Sequence, residues 1–240
     1  MVMNHMLQFI RQVSGRLYPE ASASVADPGQ LAYIRNLHRE IKKQDVLNTP
    51  FDDLSVVVFD IETTGFYPYK GDRILSIGAV KVQGERMLEE TFYSAIHNDS
   101  EPSEEIQELT GMTIEELKGA PLLPDVLKKF YQFVESDTLV AHHSSHEKQF
   151  MKHANWTALR SDFQHRIIDT SFLTKIVHPD SDLFSLDDYC EHYGICNHQR
   201  HHALYDALAT AHLWTESIRH IKRLGYDHLN DVYAHIAKLK

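Results

Sequence analysis

The chain has 240 residues, of which 42% are hydrophobic and 24% charged, as in ordinary globular proteins. No apolar run reaches the ~18 residues that cross a bilayer, and no signal-peptide pattern is found, so we expect no membrane partner. Two cysteines cannot form a disulfide framework, which favours a reducing, cytoplasmic setting. The net charge of −10 argues against a protein that holds long duplexes by a broad basic surface, but not against phosphate contacts made through bound cations.

The first fifty residues differ from the rest in charge, with +2 against −12 for the remainder. Their pattern predicts two helices joined by a small-residue linker at 21–26. Asp27-Pro28 is a helix-start signal, and Asn48-Thr49-Pro50 ends the helical pattern. We therefore predict an N-terminal helical extension over residues 1–50 and a domain over 51–240. The extension either packs on the domain or docks a polymerase, a helicase or a second copy.

The elements that follow alternate between strands and helices. Residues 56–59 are a continuous β-branched and aromatic run, which predicts a strand buried on both faces. Further strands are predicted over 73–82 and 87–96, with a hairpin turn between them, and over 138–141 and 166–168. Helices are predicted near 104–118, 124–135 and 144–154, and the remainder is mostly helical, with an Ala-rich segment from residue 203. This order predicts a mixed-sheet α/β fold.

Two acids, Asp60 and Glu62, end the first predicted strand. Residues two apart in a strand point to the same face, so both carboxylates should converge above the edge of the sheet. Paired carboxylates repel each other, and a bound Mg²⁺ or Mn²⁺ removes the repulsion because hard cations prefer oxygen ligands. Such a pair alone is more often incidental, so its significance depends on the other acids.

A second element places His201 five residues before Asp206, at the start of the Ala-rich helix. In one continuous helix the two would lie ~140° apart, so they share a site only if His201 precedes the helix and Asp206 lies one turn inside it. A third element is the strand end Val140-Ala141-His142, followed by a helix start that carries a single acid, Glu147.

Taken in order, these motifs resemble those of the DnaQ-like (DEDDh) 3′→5′ exonucleases, which include the proofreading epsilon subunit of bacterial DNA polymerase III. The matching segments, spread over residues 54–220, are Asp60-Ile61-Glu62-Thr63-Thr64-Gly65, Leu109-Thr110-Gly111-Met112-Thr113, Val140-Ala141-His142, Ile168-Asp169-Thr170 and His201 to Ala207. The resemblance implies a ribonuclease H-like fold, with a mixed five-stranded sheet flanked by helices. It also implies an enzyme that uses two divalent cations, Mg²⁺ or Mn²⁺, and releases nucleoside 5′-monophosphates.

The resemblance also assigns residue roles by position. His201 would be the general base, and the metal-binding acids would be Asp60, Glu62, Glu147 and Asp206. The residues that would contact the terminal nucleotide are Ile61, Thr63, Thr64, Gly65, Phe66 and His142. The implied substrate is the 3′ end of single-stranded nucleic acid, with DNA favoured over RNA, although no motif decides between them. Phe66 or Tyr67 would provide a stacking surface.

The chain departs from the family at the third acid, where Glu147 stands in place of the usual aspartate. The additional methylene can move a ligand oxygen by ~1 Å, enough to lower a rate by ~100-fold. His202 occupies the spacing at which the tyrosine variant of the family carries its tyrosine, so it competes with His201 as the base. These departures leave open a catalytically impaired fold that acts as a nucleic-acid-binding or docking module.

Two further sets of residues have alternative interpretations. Four zinc-type ligands occur close together in the sequence, but their spacing matches no common zinc finger: Cys190, His192, Cys196 and His198. Asp169 is interpreted as a helix cap or as a support for the acidic site.

Overall fold

The computed structural model describes residues 28–238, without the side chains of 28–31 and 34. Proximity of Cα atoms divides the chain into Met1–Asn36 and Leu37–Lys240. In the first unit, the start of helix α1 (Pro28–Lys43) is described, and the helix begins at Pro28 as predicted. The first predicted helix and the linker at 21–26 lie outside the described residues. The division into an extension over 1–50 and a domain over 51–240 stays a prediction.

Helix α1 ends at Lys43, earlier than the predicted break at Asn48-Thr49-Pro50. The residues between form turns, in which the amides of Asn48 and Thr49 donate to the carbonyl of Asp45 at 3.2 and 3.1 Å. The Thr49 hydroxyl also donates to the carbonyl of Asp45 at 2.8 Å. Side chains of this kind compete with the helix for backbone groups, which accounts for the earlier end.

The second unit contains five strands and eight complete helices among the described residues. The strands are β1 (Ser55–Thr63), β2 (Ile74–Gln83), β3 (Arg86–Ala95), β4 (Thr138–Ala141) and β5 (Ile167–Asp169). The helices are α2 (Glu104–Thr110), α3 (Ile114–Gly119), α4 (Leu123–Val134), α5 (Ser145–Leu159), α6 (Ser171–Val177), α7 (Leu186–Tyr193), α8 (Ala203–Arg223) and α9 (Leu229–Lys238). Two short 3₁₀ turns cover Phe51–Asp53 and Pro68–Lys70.

The strands form one sheet in the order β3-β2-β1-β4-β5. Strands β1, β2 and β3 pair antiparallel, whereas β4 runs parallel to both β1 and β5. The turn between β2 and β3 contains Gly84 at a φ of 58°, a left-handed conformation that suits glycine. The mixed sheet and its hairpin are therefore confirmed.

Strand β1 is buried on both faces, as its apolar run predicts. On one face, Val56 and Val58 pack in a cluster with Trp214 of α8. On the other face, the ring of Phe59 lies 5.8 Å from that of Phe130 in α4. Helices therefore cover both sides of the sheet, and polar residues of β1 can reach solvent only where the strand ends.

The helical stretch predicted near 104–118 is helical in the structure, but it is divided into two short helices. Helix α2 ends at Gly111, whose φ of 69° is left-handed. Thr113 then caps α3 by accepting the amide of Glu116, whose side chain accepts the Thr113 amide at 2.9 Å in return. The glycine and the capping box are both local signals that outweigh the helical periodicity.

Candidate functional site

The candidate site lies at the carboxyl end of β1, at the edge where β4 and β5 also end. Three acids converge there: a carboxylate oxygen from each of Asp60, Glu62 and Asp206 lies within 4.8 Å of the others. Asp60 and Glu62 share a face of β1, and Asp206 lies in the first turn of α8. Two of the predicted acids thus meet a third that is more than 140 residues away in the chain.

The start of helix α8 can lie against the sheet, and so bring Asp206 to these acids, because the strand residue that it contacts is a glycine. Gly78 of β2 pairs with Asp60 across the antiparallel ladder. A Cβ atom at Gly78 would lie 2.2 Å from the backbone carbon of Ala203 and from the amide nitrogen of Leu204. The sequence analysis missed this residue, although a glycine inside a strand often marks a close approach of another backbone.

The loop before α8 has the arrangement that the spacing required. His202 is the N-cap residue and Asp206 lies one turn inside the helix. His201 precedes the cap with a φ of 59°, a left-handed conformation uncommon for a residue other than glycine. Its amide donates to Oδ2 of Asp206 at 3.0 Å, so the strained backbone and the acid hold each other in place.

Two further side chains bind Asp206, and sequence reasoning missed both. Arg200 donates from Nη1 to Oδ2 of Asp206 at 2.6 Å, and from Nε to Asp187 at 2.6 Å. Asn197 donates to Oδ1 of Asp206 at 2.5 Å. The only signal in the sequence was that an arginine stands next to the predicted base.

The two candidate histidines have different surroundings. The ring of His202 stacks on Tyr93 of β3 with centroids 4.4 Å apart, and its other neighbour is the ring of Tyr205 at 5.0 Å. His202 is therefore engaged in aromatic packing. For His201, partial burial and then the Arg200 charge hold the pKa below its usual value, so the imidazole is neutral and able to accept a proton near neutral pH.

Glu147 lies in the first turn of α5 and is 5% exposed. It does not belong to the group of three acids within 4.8 Å. Its Oε2 atom is buried and makes no hydrogen bond within the part of the chain that the structure describes. Burial raises the pKa of Glu147 to about 8, with further contributions from Asp169 and Glu62. A buried carboxylate oxygen without a donor is suited to a cation.

The acids together create a strongly unfavourable concentration of negative charge. Loss of hydration, followed by the charges of Glu147, Glu62 and Asp206, raises the pKa of Asp60 well above its usual value. Burial and then Asp206 raise the pKa of Glu62 to about 7. A bound divalent cation would offset the repulsion between these carboxylates. Mg²⁺ and Mn²⁺ both prefer oxygen ligands. The donor set therefore fits the implied metal ions.

The turn after β1 is held mainly by its own side chains. The Thr63 hydroxyl donates to the carbonyl of Gly65 at 2.8 Å, and Thr64 accepts the Arg73 amide at 3.0 Å. A Cβ atom at Gly65 would lie 2.6 Å from the carboxylate of Asp72, so glycine allows this turn to close. The predicted nucleotide-contacting residue Ile61 is buried, at 5% exposed.

Phe66 is the most exposed large apolar side chain of the described residues, at 77%. Its ring lies 5.9 Å from that of His146 in an edge-to-face arrangement. The His146 ring nitrogen in turn lies 3.2 Å from the Thr63 hydroxyl, at the end of the strand that carries the acids. An exposed aromatic ring beside the acidic site can stack with a nucleobase.

His142 makes hydrogen bonds with protein groups through both ring nitrogens. Nε2 donates to the carbonyl of Phe184 at 3.1 Å, and Nδ1 lies 2.6 Å from the hydroxyl of Thr170. Burial lowers the pKa of His142 to about 4, so the ring is neutral. These contacts join β4 to the segment before α7, whereas its predicted contact with the terminal nucleotide stays a prediction.

Asp169, at the end of β5, accepts three backbone amides. The donors are His143 at 3.2 Å, Ser144 at 2.7 Å and Ser171 at 2.9 Å. Ser171 begins α6, and the other two form the turn that leads to Glu147 in α5. Asp169 therefore holds the turn that precedes α5 and supports the start of α6, whereas its predicted support of the acidic site stays a prediction.

The zinc-type residues do not form a site in the described part of the chain. The acidic group is the only set of three or more His, Cys, Asp or Glu residues found there with ligand atoms in mutual reach. Cys190 is buried and Cys196 exposed, and both are free thiols. None of the described helices is long and apolar enough to cross a membrane.

The comparison with protein families decides the assignment. The family model RNase_T, described as an exonuclease, matches residues 57–214, which contain all the acids of the site. The chain belongs to this exonuclease family.

The relatives of this chain include DNA polymerase III proteins. The PolC-type DNA polymerase III of Thermotoga maritima is 32% identical over 185 residues, which cover 77% of this chain and 13% of that protein. A DNA polymerase III subunit epsilon-like protein of Rhodobacter capsulatus is 31% identical over 193 residues, 79% of this chain and 27% of that protein. The chain thus matches a small part of each of these relatives.

Solved structures of exonucleases share the fold. Exonuclease I of E. coli, in complex with a dT13 oligonucleotide, aligns with a TM-score of 0.61 at 16% identity, over 72% of this chain and 42% of that one. Exonuclease X, in complex with 5′ overhanging duplex DNA, aligns with a TM-score of 0.58 at 20% identity, over 74% and 98%. The predicted ribonuclease H-like fold is confirmed.

Proposed function

We propose that this chain is a 3′→5′ exonuclease that removes nucleotides from single-stranded ends and releases nucleoside 5′-monophosphates, with DNA favoured over RNA. The observation that carries the proposal is the convergence of Asp60, Glu62 and Asp206 within 4.8 Å, in a chain whose family is one of exonucleases. The oligonucleotide in the Exonuclease I complex and the duplex in the Exonuclease X complex support DNA as the substrate class.

Asp60, Glu62, Asp206 and Glu147 would hold two divalent cations, Mg²⁺ or Mn²⁺. When bound, the pair would activate the attacking water and offset negative charge on the departing 3′ oxygen. Glu147 is included because its Oε2 is buried without a donor in the described structure and its charge acts on Asp60. The turn before Glu147 is held by Asp169, which accepts the Ser144 amide. This support favours Glu147 as a functional fourth ligand.

His201 would accept the proton of the attacking water. Its lowered pKa favours the neutral imidazole that this role needs, and the packing of His202 against Tyr93 makes His202 the weaker candidate. The turn at 61–65 would seat the terminal nucleotide, with the exposed ring of Phe66 stacked on a base. His142 would contact the terminal nucleotide from the end of β4, where Thr170 and the Phe184 carbonyl hold its ring.

The partners and location are proposed from the relatives. The PolC-type and epsilon-like proteins are named for DNA polymerase III, which supports association of this chain with a polymerase. Residues 1–50 would provide the docking segment for a polymerase or helicase. A cytoplasmic location would follow from this role.

The decisive experiment uses one single strand labelled at its 5′ end, incubated with and without Mn²⁺. We expect a ladder that shortens from the 3′ end only when Mn²⁺ is present. Asp60→Asn and Asp206→Asn should each lower the rate by ~10³-fold or more, because each removes one negative charge from the ligands of the divalent cations and so weakens their binding. Asp180→Asn, which changes an exposed aspartate outside the acidic group, is the matched control. Wild-type rates in both site variants would refute the proposal.

The alternative, a catalytically impaired fold that binds nucleic acid, gives a different result in the same assay. Such a protein would bind the strand without shortening it at any Mn²⁺ concentration. The departure at Glu147 is the observation that favours this alternative. Glu147→Asp separates the two cases, since restoration of the usual residue should create activity in an impaired enzyme and leave a working one within ~10-fold of wild type.

A further inference from the structure

Both carboxylate oxygens of Asp206 already have protein donors. Oδ2 accepts from Nη1 of Arg200 at 2.6 Å and from the His201 amide at 3.0 Å, and Oδ1 accepts from Asn197 at 2.5 Å. A carboxylate has about four acceptor positions, so the two neutral donors can remain when a cation binds. A guanidinium is different, because it places a full positive charge against the carboxylate that a metal ion would bind.

Arg200 is held in this position from two sides. Its Nε donates to Asp187 at 2.6 Å while Nη1 contacts Asp206, and its side chain is only 32% exposed. Such a planar fork joins two carboxylates in a way that a lysine cannot. The Arg200 charge also opposes the raised pKa of both Asp60 and Glu62. Its guanidinium thus acts as a cation inside the acidic group.

One guanidinium does not balance the site. Four acids lie at this edge of the sheet, and Oε2 of Glu147 is buried without a hydrogen-bond donor in the described structure. The site therefore has ligand capacity that Arg200 leaves unused, which points to an additional cation. Asp206 is the acid that both Arg200 and that cation would contact.

We propose that Arg200 competes with a divalent cation for Asp206, and so sets the cation concentration at which the site fills. This inference rests on the proposed function, because it takes the acidic group to be a metal site. Binding of the cation would break the contact between Nη1 and Oδ2, and Arg200 would keep its contact with Asp187, at the exposed rim of the site. Arg200 thus sets the affinity of the site for the metal.

The test is the affinity of the full chain for Mn²⁺ alone, measured by calorimetric titration without nucleic acid. Arg200→Met removes the competing charge and should bind Mn²⁺ about tenfold more tightly, since one charge-assisted hydrogen bond no longer has to break. Arg200→Lys keeps the charge but not the fork, so its affinity should lie between those of Arg200→Met and the wild type. Equal or weaker binding by Arg200→Met would overturn the proposal.

The matched control is Arg219→Met. Arg219 also contacts two carboxylates, Glu85 and Glu216, but lies ~20 Å farther along α8 than Asp206. Its replacement should leave the Mn²⁺ affinity unchanged. Should Arg200→Met fail to fold, as judged by circular dichroism, Arg200→Lys decides: an affinity equal to that of the wild type overturns the competition for Asp206.

Two failures are distinguishable in this design. A wild type whose weak Mn²⁺ binding is the same in Asp206→Asn would refute the metal site, and with it the proposed function. A wild type whose Mn²⁺ binding depends on Asp206 but is not strengthened in Arg200→Met would refute only the role of Arg200.

Discussion

Replacement of Gly78 by alanine tests whether the close approach of α8 to the sheet positions the acids. The new Cβ would lie 2.2 Å from the Ala203 carbon and 2.4 Å from its oxygen. Carbon atoms in contact are ~3.5–4.0 Å apart, so the start of α8 would have to retreat by roughly 1.3 Å. Asp206 lies three residues farther along that helix and would move with it.

The displacement should affect both stability and catalysis. Overpacking of this kind lowers the free energy of unfolding by ~1–3 kcal/mol. A shift of about 1 Å in a reacting group can lower a rate by ~100-fold. We therefore expect Gly78→Ala to remain folded at 25 °C, with metal-dependent digestion of a 3′ end lowered by roughly two orders of magnitude. Digestion rate and urea unfolding would be measured on the same preparation.

The control is Gly119→Ala, at the end of α3. A Cβ atom there meets no other atom within 4 Å. Alanine also favours a helix over glycine by up to ~1 kcal/mol, so this variant should be as stable as the wild type or more so, with unchanged activity. Wild-type digestion by Gly78→Ala would show that α8 tolerates the displacement, and would refute the role assigned to this glycine.

Four other predictions concern the site and its surroundings. Because the pKa of Glu62 is about 7 and that of Glu147 about 8, Mn²⁺ binding should tighten as the pH rises from 6 to 8.5; a flat titration would contradict this. The pKa values of Glu62 and Glu147 in the folded protein lie above the ordinary 4.5, so the folded state holds these protons more tightly than the unfolded chain does. The stability that results is fully present below pH 4.5 and is lost as the pH rises through about 7 to 8. The melting temperature, measured in EDTA so that no metal is bound, should fall over this range. Asp169→Ala leaves three amides without their acceptor and should lower the free energy of unfolding by ~2 kcal/mol, with a smaller loss in Asp169→Asn; equal urea midpoints for wild type and both variants would disprove the effect. Phe66→Ala should weaken the binding of a single strand, measured in Ca²⁺, by ~1–3 kcal/mol without a change in melting temperature. The control is Leu224→Ala, which changes another exposed apolar side chain and should bind the strand as the wild type does.

Much of the secondary structure was predictable because its signals are local. The apolar run at 56–59 is buried on both faces, and the hairpin turn lies where the glycine indicated. Helix α1 begins at Pro28 because proline suits a first helical position. The differences were also local: periodicity over 104–118 concealed the capping box at Thr113, and the turn in which Asn48 and Thr49 donate to the Asp45 carbonyl follows an earlier end of α1.

Physical reasoning from the sequence identified only some of the acids of the candidate site. The two-residue repeat of a strand places Asp60 and Glu62 on one face, and helix geometry requires His201 to precede α8. The link from these residues to Asp206 and Glu147 came from family resemblance, since periodicity does not encode which distant segments meet. The structure brings Asp60, Glu62 and Asp206 together and places Glu147 beside them.

The sequence by itself determined that β1 is buried, where the hairpin turns, and that Asp60 and Glu62 share a face, because each of these depends on near neighbours in the chain. Tertiary structure alone decided that Gly78 admits α8 beside Asp60, and that Arg200 binds Asp206. Both contacts depend on how helices pack on the sheet, where separations of an ångström decide whether a backbone fits or a charge is shared. No pattern of residue types carries distances of that size.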